Sequence, residues 1–261
     1  YGWFIKFEKK SINNGCMIYM ADFYTYVCHY TPLRERRKDL DVRFDNAGIR
    51  NVKWITEWDR EEIGEDMIEN KFREHSMKKL WYGDSDTHIR RLSLMSLTLK
   101  HVSAWRSVVE SGLEWGLVLE DDVILCDDFV KKLHTHVKNV DKECPCWGLI
   151  FIGNGCGMYI KGNDNKNMDD KITVEKTKNN CGWENFTRCA DSYVISREGA
   201  VRMIEYYDGI PETRKRIMSP VDRWMNRVIE HMKIRVWWSV KTLVTQGSQN
   251  GTYRRTVGSG A

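Results

Sequence analysis

A chain of 261 residues is long enough to bury a sizeable core, and its 41 basic and 37 acidic residues leave a formal net charge of only +4. That near balance, with no long basic run, excludes a nucleic-acid-binding stripe, and eight cysteines are too few for a disulfide scaffold. No apolar run approaches the ~20 residues of a membrane helix and no signal-peptide pattern is seen, so the expectation is a soluble, cytoplasmic protein without an integral membrane segment, its thiols mostly buried.

Residues 17–29 are rich in aromatic and β-branched side chains and predict the first core strand, after a possible strand at 3–7. The period then changes. Thr31 is placed to cap a helix and Pro32 to take its first position, with Leu33, Leu40 and Phe44 along a charged helix that ends near Gly48. Residues 49–54 read as a second short strand, and 58–62 as a loop and the start of another helix. This strand-helix-strand unit is the building block of parallel sheets.

The clearest helix carries Leu94, Leu97, His101, Val102, Trp105, Val108 and Val109 at helical spacing before Gly112 stops it. An apolar run over 117–125 follows, interrupted by Glu120, Asp121 and Asp122. Three adjacent carboxylates at the edge of a core repel one another, and a divalent cation is the usual compensator; a strand ending in a solvated acidic turn is the plainer reading. In an extended strand Glu120 and Asp122 share one side and Asp121 takes the other.

Further on, 128–140 predicts a helix with Phe129, Val130, Leu133 and Val137 on its apolar face, and 147–152 a short buried strand ending at Gly153-Asn-Gly155. The polar stretch 161–170 reads as a long surface loop. A strand at 192–195 is closed by Ser196 as the cap of a helix over 198–207, Ser219-Pro-Val-Asp222 opens a helix to about His231, and 234–238 makes a final strand. Adjacent Trp237 and Trp238 must face opposite sides of that strand, so at most one can line a sugar-binding groove. Two glycosylation sequons, at 185–187 and 250–252, matter only in a secreted chain. The alternation predicts one α/β domain over 1–261, a central mostly parallel sheet flanked by helices, with its ligand beyond the carboxyl ends of the strands, where Glu120 to Asp122 fall.

In their order these motifs resemble glycosyltransferase family 25, the lipopolysaccharide-biosynthesis and collagen-galactosyltransferase group, across roughly residues 24–246. The resemblance rests on the strand and Arg-rich helix of 26–37, the helix with Lys100, His101 and Trp105 leading into Leu-Glu-Asp-Asp, the segment 191–200 (Asp-Ser-Tyr-Val-Ile-Ser-Arg-Glu-Gly-Ala), Pro220-Val-Asp222, and a closing strand with Gln246. It implies a Rossmann-like GT-A fold with a nucleotide-sugar half over about 1–125 and an acceptor half over about 126–261. It also implies a nucleoside-diphosphate-sugar donor, UDP favoured, a Mn²⁺ or Mg²⁺ ion, transfer with inversion, and a glycan or glycoprotein acceptor.

On that resemblance Glu120-Asp121-Asp122 corresponds to the Asp-x-Asp motif, with Asp122 the metal ligand and Glu120 contacting the ion, a metal-bound water or the ribose. A hard cation held by one or two carboxylates can bridge the donor phosphates. The base that deprotonates the acceptor hydroxyl is expected to be Asp222, with Asp191 the second candidate. His29, Tyr30, Thr31, Arg34 and Arg36 sit where the first strand meets its helix, Arg36 being most like the family's arginine, and together with Asp59, His101, Glu120 and Asp121 they are the donor-binding candidates. The chain departs from the family at Lys100, where a serine is usual, and at Ser96-Leu97, where Gly-Cys is common. No histidine follows His231, so Gln246, water or nothing stands where many GT-A enzymes place a late metal ligand. Those departures keep a second reading open, a carbohydrate-binding, catalytically inactive module. A metal-dependent phosphotransferase or nuclease is a third, but the chain has no Gly-x-x-x-x-Gly-Lys loop.

Overall fold

The computed structural model describes residues 23–64, 66–67, 87–155, 172–173, 177–178, 184–185, 187–211 and 220–253. The strand expected at 3–7, the start of the 17–29 strand, the polar stretch 161–170, Ser219 and the centre of the 185–187 sequon lie outside these residues.

The chain alternates as the sequence predicts. Strand β1 (Tyr24–Cys28) leads through helix α1 (Arg34–Ala47) to β2 (Val52–Ile55), a single 3₁₀ turn (Arg60–Glu62) and the long helix α2 (Thr87–Glu110). Then come β3 (Trp115–Glu120), β4 (Val123–Leu125), α3 (Phe129–Glu143) and β5 (Leu149–Phe151). Three two-residue strands, β6 (Ile172–Thr173), β7 (Thr177–Lys178) and β8 (Glu184–Asn185), precede β9 (Ser192–Ser196) and α4 (Arg197–Gly209). The described chain closes with α5 (Val221–Met232), β10 (Val236–Ser239), β11 (Val244–Gln246) and a single turn, α6 (Gly247–Asn250).

Seven strands form the central sheet in the order β2-β1-β3-β9-β5-β10-β6. β1 runs parallel to β2 and β3, and β5 parallel to β10, whereas β9 is antiparallel to both neighbours and β6 to β10. Five of the seven strands therefore point one way, which is the mostly parallel sheet expected, with β9 as the reversed member at its centre.

Both faces are covered. Alternate residues of each strand go to opposite cores: Tyr26, Val118, Leu149, Phe151, Tyr193 and Trp238 pack with Leu99, Trp105, Met203, Trp224 and Val228 under α2, α4 and α5. Val27, Leu117, Leu119, Ile150, Val194 and Trp237 pack with Leu40, Phe44, Leu133 and Val137 under α1 and α3. Strands buried on both sides read as continuous apolar runs, which is why β3 and β5 showed no polar alternation. Trp237 and Trp238 do face opposite sides, but both are buried core residues, so neither forms an open sugar platform.

Several element ends follow their chemistry. Gly48 takes φ 78° and receives the C-terminus of α1, a left-handed conformation that glycine adopts without a Cβ penalty, and the Ser196 hydroxyl caps α4 by accepting the Gly199 N–H. Two expectations are corrected. Helix α1 starts at Arg34 with Leu33 as its N-cap and no side-chain cap; Thr31 lies two positions before that cap, its N–H donating to the Asp59 carboxylate. The helix start expected at 58–62 is instead one 3₁₀ turn, closed by a reciprocal Asp59–Glu62 capping box.

Candidate active site

β1 and β3 are parallel neighbours with Cys28 opposite Glu120, and the connection after β1 runs under one face of the sheet while α2, which leads into β3, covers the other. The carboxyl ends of these strands thus form the crevice where open α/β sheets hold ligands. β3 does not stay extended through its acidic residues. It turns at Asp121 and Asp122 and resumes as β4, which pairs with β11, Val123 opposite Gln246. Because β9 runs backwards, its starting end reaches the same edge, and the Glu120 N–H donates to the Asp191 carbonyl at 2.8 Å.

The three adjacent carboxylates have different surroundings. Asp121 is saturated: Oδ2 lies 2.9 Å from His29 Nδ1 and accepts the Tyr30 N–H at 3.0 Å, and Oδ1 accepts from Arg36 at 2.9 Å. Burial alone would push its carboxyl up, but the hydrogen bonds from His29 and Tyr30, with the Arg36 charge, hold it below the ordinary carboxylate value. Asp121 is therefore a clasp between the acidic turn and the loop after β1. One step along that loop, Asp59 acts likewise: its carboxylate takes the Thr31 N–H and the Lys100 ammonium, at 2.8 Å from the latter. Lys100 is buried and also donates to the Thr56 and Glu57 carbonyls, so it ties α2 to the segment after β2. Successive amides, Tyr30 and Thr31, are thus each bound by a carboxylate from a different element.

Glu120 and Asp122 are less satisfied. Burial first, and then the charges of Asp122, Asp191, Asp121 and Asp222, drive the Glu120 carboxyl well above its usual value. Burial also raises Asp122, against a hydrogen bond from the Ser248 hydroxyl to Oδ2. Asp122 Oδ1 is buried with no hydrogen-bond partner among the described residues, as is Asp191 Oδ1. Asp191 is wholly enclosed, and burial with the Asp122 charge lifts it to about 7 although Ser192 donates to Oδ2. Its pocket exists because Gly153 and Gly155 lack side chains: a Cβ there would stand 2.0 Å from Oδ2 and 2.5 Å from Oδ1 respectively. Asp222 is half-buried in the first turn of α5, raised by burial against the Arg223 N–H and charge.

His101 is a core histidine placed against this cluster. It has no exposure, burial holds its imidazole down to about 3, and Nε2 stands 3.8 Å from Glu120 Oε1, so the contact is that of a neutral ring rather than an ion pair. Its Nδ1 lies 2.8 Å from the Tyr193 hydroxyl, which also accepts the Trp105 indole N–H at 2.8 Å. Among the described residues the phenol proton has Nδ1 as its acceptor, which puts the imidazole hydrogen on Nε2, toward Glu120; the tautomer is assigned from this network.

A cleft of about 280 Å³ opens over the turn, at the small end of ligand sites. Of the sequence candidates, Tyr30, Arg36, Glu120, Asp121, Asp122 and Gln246 line it, as do Ser96, Leu97 and Lys100, the positions of departure. His29, Asp59 and His101 stand behind the wall, Thr31 and Arg34 are exposed, and Asp191 and Asp222 reach the cluster from β9 and α5. Ser248, which sequence reasoning missed, also lines the cleft; it lies 126 positions from Asp122 and belongs to no motif. Among the described residues no three His, Cys, Asp or Glu side chains close into a cage for an ion. An ion shared with donor phosphates needs less, one or two protein carboxylates, and the unpartnered Asp122 Oδ1 beside electrostatically crowded Glu120 meets that requirement. No helix of the described residues is long and apolar enough to cross a membrane.

Comparison with known proteins extends this picture. The model of "Glycosyltransferase family 25 (LPS biosynthesis protein)" matches residues 35–225. "Procollagen galactosyltransferase 2" of Homo sapiens is 33% identical over 108 residues, which are 41% of this chain and 16% of that protein. "Inactive glycosyltransferase 25 family member 3" of Homo sapiens is 40% identical over 55 residues, 21% of this chain and 9% of its relative. The chain thus matches less than a fifth of the length of these curated relatives.

Proposed function

The chain belongs to glycosyltransferase family 25, and from that premise we propose that it is a metal-dependent, inverting glycosyltransferase. It moves a sugar from a nucleoside-diphosphate donor, UDP favoured, to a hydroxyl of a glycan or glycoprotein. The observation that carries this reading is the pairing of a saturated Asp121 with an Asp122 whose Oδ1 is buried and unpartnered, at the carboxyl end of β3. An ordinary acidic turn would leave its carboxylates solvated.

In this reading Asp122, with Glu120 beside it, holds Mn²⁺ or Mg²⁺. The ion, when bound, neutralises charge on the phosphates of the departing nucleoside diphosphate. Arg36, buried on Asp121 and lining the cleft, keeps the start of α1 against the acidic turn, with Tyr30 lining the same cleft. Asp222 takes the proton of the acceptor hydroxyl. It is preferred over Asp191 because it is only half-buried, whereas Asp191 is sealed behind Gly153 and Gly155 and no acceptor could reach it without opening that wall. His101 presents its Nε2 side to Glu120 as a neutral group 3.8 Å away.

Similarity to the inactive family member favours a second reading, a glycan-binding module without turnover. Calorimetric titration of UDP and GDP, each with and without Mn²⁺, into the protein and an Asp122→Ala variant separates the two. Micromolar binding of one nucleotide that needs both Mn²⁺ and Asp122 supports the transferase. No binding of either nucleotide moves the module to the front.

A further inference from the structure

The chain after β11 folds back across the acidic turn, and it does so outside residues 35–225, the stretch the family model matches. The Gly247 N–H donates to the Asp122 carbonyl at 2.6 Å and the Ser248 hydroxyl to Asp122 Oδ2 at 2.5 Å. Tyr253 anchors the far end of this strap. Its N–H donates to the Gly247 carbonyl at 2.9 Å, and its ring lies so close to Gly247 that a Cβ there would meet Cδ2 at 2.4 Å. The same ring has the Arg36 guanidinium over it at 5.3 Å, and its hydroxyl donates to Asp39 on α1. One ten-residue segment, 244–253, therefore touches both halves of the turn: Asp122 through Gly247 and Ser248, and Asp121 through Tyr253 and Arg36.

We infer that Ser248 is a positioning residue for Asp122 and that Tyr253 holds the strap which carries it. The hydroxyl occupies Oδ2, the Ser248 N–H also donates to this carboxylate, and the two together fix its rotation, leaving Oδ1 as the atom presented to a cation. A carboxylate with both oxygens unheld would have to be ordered at the moment the ion binds, and partners that orient metal ligands are worth roughly 10–100-fold in metal affinity. The inference rests on the transferase reading, since it takes Asp122 as the ion's ligand.

The test is a Mn²⁺ titration at fixed UDP, followed by calorimetry, for the wild-type chain, Ser248→Ala, Ser248→Thr, Tyr253→Phe and Asp122→Ala, each first shown to be folded by circular dichroism. Ser248→Ala should raise the Mn²⁺ needed for half-maximal binding by about 10-fold while leaving UDP affinity at saturating Mn²⁺ within about twofold. Ser248→Thr, which keeps the hydroxyl, should restore the wild-type requirement. Tyr253→Phe, which leaves Asp122 and Ser248 untouched, should shift it in the same direction by a smaller factor and should speed amide exchange across 246–253; it carries the test if Ser248→Ala does not fold. A wild-type Mn²⁺ requirement in both Ser248→Ala and Tyr253→Phe, with Asp122→Ala unable to bind, overturns the strap and leaves the transferase standing. Mn²⁺-independent binding, or none, in the wild-type chain overturns the transferase reading and the strap with it.

Discussion

Replacing Asp121 with alanine tests whether the clasp of the acidic turn carries the stability assigned to it. Asp121 and Arg36 side chains are 11% and 10% exposed, so the pair counts as buried, and removing one member of a buried ion pair costs about 3–5 kcal/mol because the other charge is stranded. The Tyr30 N–H also loses its acceptor, but the losses overlap, so the expected total is about 4 kcal/mol. For a chain of this size that corresponds to a melting point lower by roughly 10 °C. Urea unfolding followed by tryptophan fluorescence at pH 7 measures it. Asp121→Ala with Arg36→Met should recover roughly 1–2 kcal/mol, because the double variant no longer buries an unpaired guanidinium. The pH dependence has a definite sign. Asp121 is held below its unfolded value, so its contribution is complete above about pH 4 and disappears as pH falls through the lower folded value. A loss under about 1 kcal/mol at pH 7, or one that persists undiminished at pH 2, refutes the clasp.

Asp191 should act in the opposite sense. Burial lifts it to about 7, so the folded, metal-free protein keeps a proton that the unfolded chain has already lost, and stability should fall between about pH 4 and 7 by on the order of 4 kcal/mol. Asp191→Asn should flatten that slope in urea melts at pH 5 and 8, and an unchanged slope counts against the assignment. Gly153→Ala would place a Cβ 2.0 Å from Asp191 Oδ2 and 2.3 Å from Ser192 Oγ, and should lower stability by about 1–3 kcal/mol in thermal melts; a neutral result means the wall yields. Lys100→Ser should destabilise by about 3–5 kcal/mol, since Asp59 and two carbonyls lose their donor together. A stability equal to wild type in chemical denaturation would show that the ammonium is replaceable by water.

What the sequence made legible was whatever depends on neighbours along the chain. The apolar runs of β1, β3, β5 and β9, the Ser196 cap, the Gly48 stop and the opposite facing of Trp237 and Trp238 all follow from local period and backbone chemistry. The acidic triad marked a candidate site for the same reason. Direction and long-range pairing were not legible. Nothing in Ser192 to Ser196 states that β9 runs against its neighbours, and that reversal is what delivers Asp191 to Glu120. Thr31 reads as a cap from its spacing, yet Asp59, 28 positions away, claims its amide. Nor could adjacency say which carboxylate of the triad is saturated, since the partners of Asp121 are 85 to 92 positions distant.

The indole of Trp105 has no exposure and stacks on Trp224 at 5.7 Å, deep beneath the cleft. Through its hydrogen bond to the Tyr193 hydroxyl it nonetheless joins a buried chain that runs by way of His101 to Glu120. Exchanging that one core ring for phenylalanine would leave the phenol proton directed at Nδ1 but take away one of the two partners that hold the hydroxyl, a loosening passed on to the ring that faces Glu120.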